Sequence, residues 1–206
     1  MPKDARSLTS RRAHVWVKLS GIMGVVTPIV AFACILLSIS SYQPFSWTNN
    51  ALSDLGVKEG ITAPLFNSGL IISGISVLVF AAGLFRLLPN SLISRIGILI
   101  FVSAALALTA IGIFPENSKP MHYFASVAFF ALFPTAMFVI SASLLCARKL
   151  KTGLFTLVIA IVCIIPWAIE FSIRFVPGVA IPEAISALAA SVWSIILGMS
   201  MLKITP

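Results

Sequence analysis

Apolar residues run almost without interruption through six stretches of the chain, at positions 19–41, 63–85, 96–114, 121–146, 153–171 and 184–202. Glu170 is the one acidic residue inside them, and no Lys or Arg falls within any. Each stretch is close to the ~20 residues that cross ~30 Å of hydrocarbon as a helix. A membrane barrel would instead show segments of about 10 residues with alternating polarity, and that period is absent. The pattern predicts an all-α protein, a polytopic bundle of six transmembrane helices. Most connections are too short to fold alone, so residues 19–206 are read as one domain after a basic tail at 1–18. The exception is the stretch 42–62, rich in turn-forming residues, whose length points to a functional role or to order imposed by packing.

Composition agrees with a membrane protein. Hydrophobic residues make up 59% of the chain and charged residues 10%, too few to cover a water-soluble domain of this size. Eleven of the 14 Lys and Arg fall at the N-terminus, in alternate connections and at the C-terminus. Only Lys58, Lys119 and Arg174 lie on the other side. Cations near span ends are retained in the cytoplasm, so both termini are expected there. The net charge of +8 then reflects topology and attraction to anionic headgroups, and nucleic-acid binding is not expected. The first apolar stretch is longer than the h-region of a secretory signal and is read as a retained span. Cys34, Cys146 and Cys163 lack CxxC spacing and are read as small core residues. Walker, GxGxxG, GxSxG and HExxH motifs are missing, which removes the usual sequence marks of nucleotide-driven and zinc-protease chemistry.

The acids are distributed unevenly. Asp4 belongs to the cytoplasmic side, whereas Asp54, Glu59, Glu116, Glu170 and Glu183 lie on or just beneath the opposite surface. Helical spacing gives three stripes of polar and small residues, headed by Asn67, Glu170 and Glu183, which face other helices and not lipid. Asn67, Gly74 and Ala81 form one; Thr156, Cys163, Pro166 and Glu170 a second; Glu183, Ala187, Ala190, Ser194 and Gly198 a third. His122 opens the fourth span beside them. Together they predict an external cavity with a polar mouth and an apolar floor.

Each residue also has an ordinary structural use. Asp54 suits an Asx turn with Gly56 in the left-handed region. Glu170 stands four residues before Arg174, the spacing of a helical ion pair. Pro182 and Glu183 read as the start of a helix, with Pro at the first position and an acid favoured by the dipole. Jointly, an ionisable group per external element exceeds what six packed helices need, because charge within a membrane is costly and marks function.

The strings ALSDLG at 51–56, PLFNSGL at 64–70 and GIFPENSKPMH at 112–122, in this order and spacing, resemble the "domain of unknown function 998" family of six-span prokaryotic membrane proteins. In that family an S-D-x-G loop precedes a P-x-F-N start of span two. A G-x-F-P turn precedes a His opening span four, and P-E opens span six. The matching positions here are Ser53, Asp54, Gly56, Pro64, Phe66, Asn67, Gly112, Phe114, Pro115, His122, Pro182 and Glu183. The pattern is also similar to the wider Frag/DRAM/Sfk-like membrane families, some of which are linked to lipid handling. The resemblance implies a multi-pass protein of a prokaryotic plasma membrane and points toward lipids.

Two functions remain open at this level. One is a non-catalytic module that holds a membrane lipid or small ligand, or docks on a partner membrane protein or a second copy, through Asp54, Asn67, Glu116, His122, Glu170 and Glu183. The other is a hydrolase or acyltransferase acting on lipid, with His122 as general base, Asp54 or Glu116 orienting it, and Ser53 or water as nucleophile. No cofactor is expected. A three-His metal site cannot be assembled, since His14 belongs to the tail, and a mixed site from His122, Asp54, Glu116 and Glu183 is a minor option. An ion-coupled carrier titrating Glu170 or Glu183 is disfavoured by the lack of an internal repeat.

Overall fold

The computed structural model of the protein describes residues 3–204, with side chains described over 14–204. Lys3, Asp4, Arg6, Arg11 and Arg12, assigned above to the cytoplasmic side, have side chains outside the described residues. The described residues form six long helices and one short 3-10 helix, without a strand: α1 Lys3–Ser41, α2 Thr62–Leu87, α3 Leu92–Ile113, α4 Met121–Cys146, α5 Leu150–Ile173 and α6 Ala180–Leu202, with the 3-10 helix at Leu52–Val57. All six are long and apolar enough to cross a membrane. This is the six-helix bundle expected, and its fourth helix has the predicted bounds. α2, α5 and α6 exceed their apolar stretches by a few residues, α3 starts four residues early and ends one short, and α1 continues back to Lys3, because backbone at a span end continues its helical hydrogen bonds through polar and small side chains.

Each helix packs on its sequence neighbours and α6 closes onto α1, so the bundle is a ring. Aliphatic side chains such as Ile29, Leu36, Ile72, Leu99 and Val158 stay exposed on its outside, where lipid would meet them. Inside, Phe80, Phe101, Phe133 and Trp193 form an aromatic cluster with ring centroids 5.3–6.5 Å apart. Trp193 is fully buried, and its indole N–H donates to Thr156 Oγ1 at 3.1 Å, joining α6 to α5. The predicted α5 stripe of Thr156, Cys163, Pro166 and Glu170 is buried throughout. Farther along the same seam, Trp167 Nε1 donates to Ser186 Oγ and Ser186 Oγ to the Cys163 carbonyl, both at 3.2 Å. One expectation for the core fails: Cys146 is exposed, because it is the last residue of α4 and lies beyond the packed part of the ring.

Candidate functional site

The connection between α1 and α2 is ordered by its own side chains. Asn50 Oδ1 accepts the Ser46 N–H at 2.9 Å, while Asn50 Nδ2 donates to Asp54 Oδ2 at 2.7 Å. The same carboxylate oxygen accepts the Ala51 N–H at 3.1 Å. Asp54 thus reaches back to the N-terminus of the 3-10 helix, as an acid at the third position of a helix does. The expected Asx turn with a left-handed Gly56 is not formed. Gly56 lies within the 3-10 helix, and the left-handed glycine of this loop is Gly60, at φ 68°. Glycine at 56 leaves room for Asn67: a Cβ there would stand 2.6 Å from Asn67 Oδ1 and displace that side chain. Asn67 Nδ2 in turn donates to the Gly56 carbonyl at 2.9 Å, which clasps the loop to the head of α2.

The connection between α5 and α6 docks on this loop from the other side. Gly178 N–H donates to the Thr48 carbonyl at 2.8 Å and Ala180 N–H to the Asn50 carbonyl at 2.9 Å. Glu183, buried in the first turn of α6, accepts the Leu52 N–H on Oε2 at 2.6 Å. A carboxylate from the sixth span therefore caps an amide of the first external loop. Pro182 falls two residues later in the helix than expected, since α6 starts at Ala180.

The α3–α4 turn brings Glu116 within hydrogen-bonding reach of Asp54, where a protonated Glu116 would donate to the Asp54 carboxylate. That bond, with burial and the Asp54 charge behind it, pushes Glu116 up to about 7. Burial also works against the Asp54 charge, but the hydrogen bonds from Glu116, Asn50 and Ala51 and the nearby Lys58 outweigh it and hold Asp54 below its ordinary range. The two linkages have opposite signs. Glu116 contributes stability that is complete below its ordinary 4.5 and is lost as pH rises to about 7. Asp54 contributes stability above its ordinary 3.8 that is lost as pH falls through its depressed value. The loop-to-turn contact should therefore weaken between about pH 5 and about pH 8. Thermal unfolding midpoints of wild type are expected to drop across that interval more than those of Glu116→Gln, whose amide donates to Asp54 at every pH; equal drops would show that the pair carries no linkage.

His122 is buried at the start of α4, but it does not meet these carboxyls. Its Nδ1 lies 2.7 Å from the Phe114 carbonyl, which can only accept, so Nδ1 carries a proton; Nε2 faces Ser126 Oγ at 3.3 Å. The expected pairing of His122 with Asp54 or Glu116 is absent, because the backbone of the turn has taken the nitrogen that an orienting carboxylate needs. His122 instead fastens the turn that carries Glu116. Glu170 is also separate. It is buried on α5, its Oε2 has no hydrogen-bond partner, and the Arg174 pair is not formed: Arg174 turns left-handed and ends the helix through its N–H on the Glu170 carbonyl. No group of three or more His, Cys, Asp or Glu among the described residues is placed to share a metal ion.

Beneath the 3-10 helix lies a cavity of about 140 Å³ inside the ring. Leu52, Ser53 and Glu183 line its loop end, and Phe66, Leu70, Phe101, Phe129 and Phe133 are among its walls. It follows α6 from Glu183 to Ser194, eleven residues or about 16 Å of helix. Among the described residues Glu183 is its only ionisable lining residue. Of the six residues predicted for a site, Asp54, Glu116 and Glu183 gather around the 3-10 helix with Asn67 clasping it, whereas His122 braces a turn and Glu170 stands apart. The sequence reading passed over Asn50 and Gly178, whose roles run through backbone groups of distant segments. It also passed over Thr27 and Ser73, because hydroxyls are common in spans.

The model of one family, described as a protein of unknown function (DUF998), matches residues 25–200. No curated protein and no solved structure matches the chain.

Proposed function

We propose, for a chain that belongs to the DUF998 family of proteins of unknown function, that this membrane protein is a non-catalytic module that takes one amphiphile into the ring of helices. The apolar body lies among the cavity phenylalanines and the polar end reaches Glu183. Given the cation bias, the 3-10 helix covers this site on the extracytoplasmic side. The observation that carries the reading is the cavity itself, apolar along its length and ending at a buried carboxylate. Concave apolar pockets with a few convergent polar groups are the usual form of a ligand site, and membrane lipid is the nearest source of such a molecule. The alternative of a hydrolase or acyltransferase draws no support from a histidine whose Nδ1 is bonded to a backbone carbonyl.

Native mass spectrometry of protein extracted from membranes tests this, with wild type beside Ala187→Phe, which adds a ring to the cavity wall. Wild type is expected to retain one amphiphile per chain. The variant should lose it by about tenfold, the factor for ~1.4 kcal/mol of lost contact. Bulk lipid alone, unchanged by the substitution, would sink the proposal.

A further inference from the structure

Hydroxyls inside these helices mostly donate to the carbonyl one turn earlier, as Ser103, Thr109, Thr135, Thr156 and Ser191 do. Thr27 and Ser73 do not. They are 7% and 1% exposed, and neither hydroxyl has a hydrogen-bond partner. Each unmade bond of this kind is costly in a low-dielectric interior. Both residues line the cavity, and χ1 has three staggered wells among which a bound acceptor would select the one that meets the hydroxyl. They also lie close in depth. Ser20 opposite Gly83 and Cys34 opposite Gly69 set the α1–α2 register. That register puts Ser73 level with Val30, three residues or about 4.5 Å along α1 from Thr27.

Two free donors on one wall ask for acceptors. Among the described residues no cation lines the cavity, which disfavours an anion there, and the walls are mostly aromatic and aliphatic, with Ser126, Ser191 and Ser194 each already hydrogen-bonded within the protein. Building on the proposed binding role of this cavity, we propose that Thr27 and Ser73 form a carbonyl-recognition pair, which selects uncharged apolar ligands bearing a ketone, quinone or ester oxygen over plain hydrocarbon.

The test uses three small fluorinated probes of similar size in 19F NMR titrations of the full chain in detergent: 1-ethyl-4-fluorobenzene, 4-fluoroacetophenone and methyl 4-fluorobenzoate. Wild type should bind a carbonyl probe about five- to tenfold more tightly than the hydrocarbon, the advantage of one or two net hydrogen bonds. The ketone and ester arms separate a quinone-like source from an acyl-lipid source. In Thr27→Val/Ser73→Ala, carbonyl affinity should fall to the hydrocarbon level while hydrocarbon affinity stays the same, which also shows the cavity intact. A carbonyl preference that is absent in wild type, or that survives the double substitution, would overturn the recognition pair and leave the binding role standing. No probe binding by wild type beyond micelle partitioning would overturn both.

Discussion

Glu183→Ala is expected to free the 3-10 helix from the bundle. The Leu52 amide donates to Glu183 across 131 positions of sequence at 2.6 Å, in a buried setting where water cannot replace the lost acceptor. Leaving that N–H unpaired should cost about 1–3 kcal/mol. The loss should be local before it is global, because the aromatic cluster around Trp193 lies deeper in the ring and keeps its contacts. Hydrogen exchange should therefore quicken across residues 50–57 while the inner halves of the helices stay protected. Glu183→Gln keeps an oxygen at the same position and should recover most of the protection. A Gln variant as exposed as Ala would mean that the charge, and not the acceptor, holds the loop. An Ala variant as protected as wild type would mean that Glu183 does not hold it at all.

Gly178→Ala should be damaging for a different reason. A Cβ at that position would lie 2.6 Å from the Asn49 carbonyl carbon and from the Asn50 nitrogen, and would press on the Asn50 oxygen as well. These are backbone atoms that cannot rotate away. They are held in place by the Gly178 and Ala180 amides, which bond to Thr48 and Asn50. Overpacking of this kind costs about 1–3 kcal/mol, and the two external connections should separate. Gly60→Ala gives the comparison. Gly60 has φ 68° but nothing within 4 Å of an added Cβ, so it should show only the left-handed penalty of about 1–2 kcal/mol. Thermal unfolding with hydrogen exchange over residues 46–57 and 174–183 distinguishes them: Gly178→Ala should expose both segments, Gly60→Ala neither. Matching exchange in the two variants would show that the docked contact does not depend on the missing side chain.

Such contacts explain why the candidate site was only partly legible in the amino-acid sequence. Residue types and their depth could be read directly. Asp54, Glu116 and Glu183 were placed at one end of the bundle, and the inward faces of α5 and α6 followed from spacing. Their partners could not be read. Glu183 and Asn50 interact with backbone amides, which carry no signature in sequence, and His122 lost its expected role to the Phe114 carbonyl for the same reason. A glycine at 56 is legible as special, but sequence does not distinguish a close approach to Asn67 from a positive φ, since either favours glycine.

What the sequence by itself determined is the number of spans, their length and their inward faces. In hydrocarbon every backbone group must be satisfied within its own helix, so apolar length and periodicity are enough to define them. Only the tertiary structure decided the closed order of the ring, the pairing of Asp54 with Glu116, the isolation of Glu170, and a cavity on which two hydroxyls stand unpaired. Those features depend on how each helix is rotated and in what register it meets its neighbours, and many rotations of six apolar helices satisfy the same hydropathy pattern.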